Sequence, residues 1–201
     1  AVHDHSVALR WSVSGPNNDL RLGANEAPPA ILSAFVGDQL TSIIERTIAG
    51  DAARDPEHFM LEMGVAKLPT LAKDNTDRNR TSPFAFTGNK FEFRAVGSSA
   101  NCALPMAVLS AAAASALTEM TERLKAKLEA KPGQRDQMVA ELLREVFTET
   151  KAVRFEGNGY SDEWKAEAKK RGLPNLVDTP AALEALREPK HHAFLVATGV
   201  L

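Results

Sequence analysis

The sequence predicts an α+β fold, and two kinds of pattern in the 201-residue chain carry this prediction. Residues 84–95 predict a strand or hairpin, because residues 90–94 alternate charged and aromatic side chains with the period of two that is typical of a half-buried strand. Apolar residues recur every three or four positions at 105–130 and again at 135–150, which indicates two amphipathic helices. The 44% share of hydrophobic residues is enough for one sizeable core. We expect a single domain with strands and loops in residues 1–100 and mainly helices in residues 101–201.

Short elements separated by loops are predicted for the first half. Residues 1–14 have the character of a helix end, which the turn sequence Ser-Gly-Pro-Asn-Asn closes. Residues 30–36 are apolar and predict either a buried strand or a short helix, because periodicity does not separate the two over so few residues. The other predicted elements are a helix at 38–48, a candidate strand at 60–68, and polar loops at 51–57 and 69–82.

In the second half, residues with known capping roles mark the helix ends. Lys131-Pro132-Gly133 ends the first long helix, since proline and glycine interrupt helices. Ser161 predicts the N-cap of a helix that ends at Arg171-Gly172. Thr179 and Pro180 predict the N-cap and the first residue of another short helix.

Composition argues against nucleic-acid and membrane partners. The net charge is -2 and the isoelectric point is near 6.3, whereas nucleic acid or an anionic membrane calls for a basic surface. The longest apolar run, around residues 111–117, is Ala-rich and too weak to span a membrane. The single cysteine, Cys102, allows no internal disulfide and fits a reducing compartment. We expect a cytoplasmic protein.

The charged face of the strand at 84–95 is the first candidate site. Alternation places Lys90, Glu92 and Arg94 on one face, with Phe91 and Phe93 turned to the core. Same-face neighbours in a strand are roughly 7 Å apart, so a metal or an anion above Glu92 would be within reach of both bases. The alternative is a salt-bridged outer face that only solvates the sheet.

Two polar stretches precede this strand. Arg78 and Arg80 bring two guanidiniums, which suit bidentate recognition of phosphate or carboxylate. Residues 21–29, RLGANEAPP, contain a glycine and paired prolines that exclude a regular element. The sequence has neither the Walker phosphate-binding motif nor a G-x-G-x-x-G motif.

Three strings in the chain resemble type III glutamine synthetase. They are RLGANEAPPAI at 21–31, DRNRTSPFAFTGNKFEFR at 77–94 followed by VGSS, and GNGYSDEW at 157–164. The resemblance runs in order through the chain and implies part of the catalytic domain of a longer protein, with both ends of this chain inside it. It also implies an enzyme of nitrogen assimilation that ligates ammonia to glutamate through a γ-glutamyl phosphate. The co-substrate would be ATP, the metal Mg2+ or Mn2+, and the assembly a homo-oligomer of two stacked hexameric rings.

The resemblance assigns a role to each candidate residue. Glu92 corresponds to a metal ligand, and Arg94 to an arginine that contacts glutamate and the transferred phosphoryl group. Arg80 corresponds to an arginine that reaches ATP phosphates and substrate, and Arg21 to one that binds the substrate carboxylate. Glu26 corresponds to the loop glutamate that shields the acyl phosphate from water and helps to deprotonate ammonium.

Other assignments stay open at this point. Lys90 is a candidate ATP contact in a place where type I enzymes have arginine, so its role and that of Arg78 are undecided. The remaining metal-binding carboxylates and the metal histidine of the family are not identifiable in residues 1–20. A glutamate–amine ligase of the same superfamily is the alternative enzyme, and a non-catalytic binding or assembly module is the alternative of another class.

Overall fold

The computed structural model describes residues 1–24, 30–50, 60–61, 71–72, 82–95, 97 and 99–201. Helices fill most of this part of the chain, and five short strands form two small sheets. The helices are α1 Val2–Ser12, α2 Pro16–Arg21, α3 Gly37–Ala49, α4 Ala103–Ala130, α5 Arg135–Glu149, a 3-10 helix Thr150–Val153, α6 Asp162–Lys170, α7 Thr179–Leu186 and α8 Pro189–Ala197. The strands are β1 Ala34–Phe35, β2 Met60–Leu61, β3 Leu71–Ala72, β4 Phe84–Phe86 and β5 Phe91–Phe93. The α+β prediction is confirmed.

The larger sheet has three strands in the order β1-β4-β5 and is mixed. β1 runs parallel to β4, and β4 runs antiparallel to β5 in the hairpin that the alternating pattern predicts. The apolar stretch at 30–36 therefore contains a strand and not a helix. At the edge of β1, the Phe155 N–H donates to the Ala34 carbonyl at 3.0 Å, so the segment after α5 is joined to the sheet.

The smaller sheet pairs β2 with β3 in antiparallel register. Met60 and Leu61 are the first two residues of the predicted strand at 60–68, and the rest of that prediction lies outside the described residues. β3 falls inside the stretch that the sequence predicts as a polar loop, so that prediction is wrong at Leu71–Ala72. A two-residue strand is too short for a period-two pattern to reveal.

Helices α1, α4 and α8 build the main core around five buried apolar residues. These are Ala8, Leu9, Leu32, Val108 and Leu195. Phe93 of β5 packs against this cluster and connects the sheet to the helices. Burying side chains of this kind contributes about 1.5–3 kcal/mol each for the larger ones, so the cluster is the main apolar support of the sheet.

Helix α4 is 28 residues long, and an 18-residue window within it has a mean hydropathy of 1.4. By length and composition alone it is one helix among the described residues that could cross a membrane, which the run at 111–117 taken by itself does not suggest. Core helices of soluble proteins pass the same test but are mostly buried, whereas 17% of this window of α4 is buried. Here α4 packs on α1 and pairs with α5 through Arg123 and Lys127, which contact Glu145 at 3.1 and 2.7 Å.

Of the two N-caps that the sequence predicts, one is found in the structure and the other is displaced by one residue. The Ser161 hydroxyl accepts from the Trp164 N–H at 3.1 Å, which confirms the predicted N-cap of α6. In α7 the cap is Asp178, whose carboxylate accepts from the Ala181 N–H at 2.8 Å, and Thr179 is already helical. The prediction that Thr179 caps α7 is wrong by one residue, because a carboxylate stood next to the threonine and competes better for the orphan N–H groups.

Candidate functional site

Strand β5 holds the charged side chains of the candidate site in one row. Glu92 pairs across the sheet with Ala85, which is fully buried, so the register of the hairpin is fixed at this point. The Lys90 ammonium lies 3.1 Å from Glu92 Oε1, and the Arg94 Nε donates to Glu92 Oε2 at 3.1 Å. One carboxylate between two cations is what the alternation predicts. We call these three residues the β5 charge row.

The two cations keep Glu92 ionised. The hydrogen bond from Lys90 is the main cause, and that from Arg94 the next, of a Glu92 pKa below its ordinary value. Side-chain exposure falls along the row, from 60% for Lys90 to 38% for Glu92 and 17% for Arg94. Arg94 is thus the deepest member, and its N–H donates to the Pro83 carbonyl at 2.7 Å. An anion that approaches along this face meets a cation at each end of the row.

The opposite face of the hairpin carries aromatic rings, but only one end of it reaches the core. Phe93 packs against the helical cluster, as predicted. Phe91 does not, because its side chain is 47% exposed. Its ring stacks on Phe84 and is tilted against Phe86, with centroids 5.3 Å apart in each case. The prediction that Phe91 turns into the core is therefore wrong: the alternation gives the face correctly, but the helices cover only the Phe93 end.

Arg21 lies beside the segment that follows Arg94. It is the last residue of α2, and its Nη1 is 3.8 Å from the point where a Cβ on Gly97 would be. The segment is held there by Asn18, whose Nδ2 donates to the carbonyls of Val13 at 2.6 Å and Ala95 at 3.1 Å. The structure thus brings Arg21 next to the chain three residues beyond the β5 charge row.

A buried ion pair anchors α2 from its other side. Arg10 is 1% exposed, and its Nη2 donates to Asp19 Oδ1 at 2.9 Å, while its Nε donates to the Leu176 carbonyl at 2.7 Å. Asp19 Oδ2 accepts from the Thr179 N–H at 2.8 Å, at the start of α7. Burial raises the pKa of Asp19, but hydrogen bonding from Thr179 and Arg10 outweighs it and lowers the pKa below the ordinary value.

Three of the residues singled out from the sequence lie outside the described residues. They are Glu26, Arg78 and Arg80. The structure therefore assembles Lys90, Glu92 and Arg94 in contact and places Arg21 near Gly97, and the roles assigned to all six site residues stay predictions.

The donors present fit a divalent metal only in part. Within the described ranges, no group of three or more His, Cys, Asp or Glu side chains could hold an ion. Glu92 offers one carboxylate, and each of its oxygens already accepts from a cation of the row. Mg2+ prefers about six oxygen ligands including waters, so Glu92 would be one member of a larger set. We derive no chemical step through a metal from these residues.

A cavity of about 420 Å³ lies apart from the β5 charge row, between α3, the 3-10 helix and α6. Its charged lining is balanced, with three carboxylates and three cations: Glu45, Glu156, Glu167, Lys151, Arg154 and Arg171. The two guanidiniums are bound to its own walls, because Arg154 donates to the Phe147 carbonyl and Glu45, and Arg171 donates to Glu167 and the Arg154 carbonyl. These contacts join α3, α5 and α6 and account for the two guanidiniums without a ligand.

Comparison with known proteins gives the same result along the whole chain. Residues 138–201 match the family described as glutamine synthetase C-terminal domain. The chain is 44% identical over 202 residues to a glutamine synthetase of Bacteroides fragilis, and 43% identical over 201 residues to a type-3 glutamine synthetase of Dictyostelium discoideum. The chain is thus similar to glutamine synthetases along its whole length, and its C-terminal part matches their C-terminal domain.

These matches cover 99% and 100% of this chain but only 28% and 27% of the two relatives. A third relative, a glutamine synthetase of Butyrivibrio fibrisolvens, is 46% identical over 182 residues, which are 90% of this chain and 25% of that protein. The chain thus spans about a quarter of the length of these glutamine synthetases. Its resemblance to that family is confirmed.

Sequence reasoning missed Asn18 and Gly97, which hold the parts of the candidate site together. Asn18 stands in a turn sequence, where asparagine is ordinary, and its contact with Ala95 crosses 77 positions of the chain. Gly97 stands in the VGSS string, which the resemblance includes without giving it a role. The only available signal is a glycine directly after a charged strand, which is typical of a close backbone approach.

Proposed function

We propose that this chain is part of a glutamine synthetase that uses ATP to ligate ammonia to glutamate through a γ-glutamyl phosphate. The observation that carries the proposal is the identity of 43–44% to two glutamine synthetases along 99–100% of the chain. The β5 charge row supports it with the required chemistry, because phosphoryl transfer needs cations placed where oxygen charge develops.

In this proposal the arginines bind the anionic groups of the substrates. Arg94 is the least exposed member of the β5 charge row, and its planar guanidinium suits bidentate binding of glutamate and the reacting phosphoryl oxygens. Arg21 binds the carboxylate of glutamate, and Arg80 reaches the ATP phosphates. Lys90 is a further candidate contact for ATP, since its ammonium is exposed at the outer end of the row.

Glu92 and Glu26 supply the carboxylates of the proposed site. Glu92 is a ligand of Mg2+ or Mn2+, and its lowered pKa keeps it in the form that a hard cation binds. When bound, the metal would neutralise charge on the ATP phosphates. Glu26 acts in the ammonia step as the group that excludes water and takes a proton from ammonium. The proposed protein is cytoplasmic, and it assembles with copies of itself.

The basic test is glutamine formation by the full-length protein. ADP release with glutamate, ATP and ammonium should exceed ADP release with any member of a panel of primary amines. A preference for one of those amines would replace the proposal with a glutamate–amine ligase. Absence of ADP release with every nitrogen donor would favour a binding or assembly module. We expect the 201-residue chain by itself to form no glutamine, because Glu92 is one carboxylate of a site that needs about six ligand positions.

The role of Glu92 is tested by a metal titration of the full-length protein and its Glu92→Gln variant. If Glu92 is a ligand, the Mg2+ or Mn2+ concentration for half-maximal activity should rise at least about tenfold. The matched control is Glu184→Gln, since Glu184 is an exposed carboxylate paired with Arg187 on α7, far along the chain from the row. If Glu92→Gln changes neither the metal concentration for half-maximal activity nor the rate, Glu92 is not a metal ligand and the row is an ordinary salt-bridged surface.

The role of Glu26 is tested by Glu26→Gln in the full-length protein. We expect glutamine formation to fall roughly 100-fold or more, which is the usual scale for loss of a general base. ATP and metal affinity should be largely retained. A variant that loses ATP binding and keeps its turnover would show that the assigned role is wrong.

A further inference from the structure

We propose that Asn18 is a positioning residue that fixes the Arg21 guanidinium against the chain segment after Arg94. This inference rests on the proposed function for its effect on substrate binding. It concerns side chains to which the family resemblance gives no role. Three features of the structure support it: the double hydrogen bond of Asn18, its close approach to Gly97, and the anchoring of Asp19.

The first observation is that one side-chain amide joins two distant segments. Asn18 Nδ2 donates to the Val13 carbonyl at 2.6 Å and to the Ala95 carbonyl at 3.1 Å. Val13 is the residue that ends α1, and Ala95 directly follows Arg94. Both amide protons of Asn18 are therefore used, and they join the corner between α1 and α2 to the end of the strand with the charge row.

The second observation is that the joined segments leave no room for a side chain at position 97. A Cβ on Gly97 would lie 2.5 Å from Asn18 Oδ1 and 3.3 Å from Asn18 Cγ, which is closer than such atoms approach each other. The next contact is Arg21 Nη1 at 3.8 Å. The absence of a side chain at Gly97 thus lets Asn18 and the Arg21 guanidinium lie against the backbone.

The backbone beyond Gly97 is held in an unusual shape. Ser99 has a φ of 64°, in the left-handed region that residues with a Cβ rarely occupy, and the Ala100 N–H donates to the Gly97 carbonyl at 3.3 Å. Such a conformation costs of order 1 kcal/mol or more and persists where surrounding contacts over-determine it. The Asn18 hydrogen bond to Ala95 constrains the same segment four residues earlier.

The third observation explains why α2 depends on polar anchors. The helix has six residues and none of them is buried, so apolar packing does not fix its position. Asp19 is fixed from one side by Arg10 and Thr179, and Asn18 is fixed from the other side by Val13 and Ala95. Arg21 is two residues further along. Loss of the Asn18 contacts would remove the link between α2 and Ala95, and with it one of the constraints that place the Arg21 guanidinium relative to the charge row.

The test compares Asn18→Ala with Asn17→Ala in the full-length protein. Asn17 is the matched control because it is the same residue type on the same helix and is exposed. For Asn18→Ala we expect the KM for glutamate to rise at least about tenfold, the scale of one misplaced charge-assisted hydrogen bond. The KM for ATP should change by no more than about twofold, because the proposed ATP contacts do not depend on α2. Asn18→Ser, which keeps one donor, should be intermediate.

A second measurement is independent of activity. Amide hydrogen exchange at Arg94 and Ala100, whose N–H groups donate to the Pro83 and Gly97 carbonyls, should be faster in Asn18→Ala and unchanged in Asn17→Ala. Unchanged exchange would overturn the inference whether or not the protein makes glutamine. Equal rises in the KM for glutamate and for ATP would also overturn it, since that result indicates general loosening. If the unaltered protein makes no glutamine, the proposed function fails, and the exchange experiment alone decides the positioning role.

Discussion

Two arginine–carboxylate clusters in this chain use the same chemistry in different surroundings. Arg10 and Asp19 form a pair in which the guanidinium is 1% exposed and joins α1, α2 and the segment before α7. Lys90, Glu92 and Arg94 form a row along one strand, in which the carboxylate is 38% exposed and contacts only residues two positions away. The first cluster connects distant parts of the fold, whereas the ion pairs of the second join neighbours on one strand.

The difference indicates which cluster holds the fold and which is available to a ligand. A buried charge whose partner is removed is costly, because neither water nor another group replaces that partner. A charge in an exposed row is solvated and its loss costs little, so stability gives no reason for its presence. In the proposed function, substrate binding gives such a reason for the β5 charge row.

The largest effect is expected for Arg10→Met. Methionine fills a similar volume but leaves Asp19 and the Leu176 carbonyl without the guanidinium, so we expect the free energy of unfolding to fall by about 3 kcal/mol or more. Denaturant unfolding of the 201-residue chain measures this. The control is Arg187→Met, since Arg187 is 79% exposed and pairs with the exposed Glu184. This substitution should leave the free energy of unfolding nearly unchanged. Equal effects of the two substitutions would contradict the assignment of Arg10 as a structural anchor.

A smaller and pH-dependent effect is expected for Asp19→Asn. The pKa of Asp19 is lowered in the folded chain, so its ionised form stabilises the fold above the unfolded pKa of about 4. This stabilisation is lost as the pH falls from there through the folded pKa. At pH 7 we expect Asp19→Asn to cost about 2 kcal/mol, because Arg10 keeps a weaker acceptor.

The measurement is the difference in unfolding free energy between the unaltered chain and Asp19→Asn as a function of pH. The difference should be constant from about pH 5 to pH 7 and narrow below about pH 4. A difference that grows on acidification would mean that the sign of the Asp19 contribution is wrong.

Gly97→Ala tests the junction between the two clusters. The new Cβ would meet Asn18 Oδ1 at 2.5 Å, so either the Asn18 amide or the backbone must move, at a cost of about 1–2 kcal/mol. Gly15→Ala is the matched control, because Gly15 has an extended φ of 161° and no atom within 4 Å of its Cβ position. Thermal unfolding of both variants decides it. A Gly97→Ala midpoint equal to that of Gly15→Ala would show that the close approach to Asn18 is not maintained in solution.

The sequence allowed prediction of those features that depend on neighbours close in the chain. Alternation at 90–94 predicted strand β5 and the charge row, and the capping signal at Ser161 predicted the start of α6. Prediction from the sequence failed for features that depend on segments far apart in the chain. The exposure of Phe91 is decided by how far the helices extend over the sheet, and the clamp at Asn18 by a contact 77 positions away. The roles of the site residues came from the resemblance to glutamine synthetases and not from any pattern of spacing.

The smallest effect on stability is expected for Lys90→Met, at the outer end of the β5 charge row. The Lys90 side chain is 60% exposed, so its loss should leave the thermal midpoint of the 201-residue chain unchanged within error. It should nevertheless raise the Glu92 pKa, because the hydrogen bond from Lys90 is the main cause that lowers it and Arg94 then acts alone. Carbon NMR titration of the glutamate carboxyl groups measures that pKa directly.

The matched control for Lys90→Met is Lys165→Met. Lys165 lies 2.8 Å from Asp162 and is the main cause of the lowered Asp162 pKa, so this variant should raise that pKa and leave the pKa of Glu92 in place. An unchanged Glu92 pKa in Lys90→Met would mean that the row is not formed in solution. A fall in the thermal midpoint comparable to that of Arg10→Met would mean that the row supports the fold. Its charges would then have a structural reason to be there, and the argument that they serve a ligand would lose its physical basis.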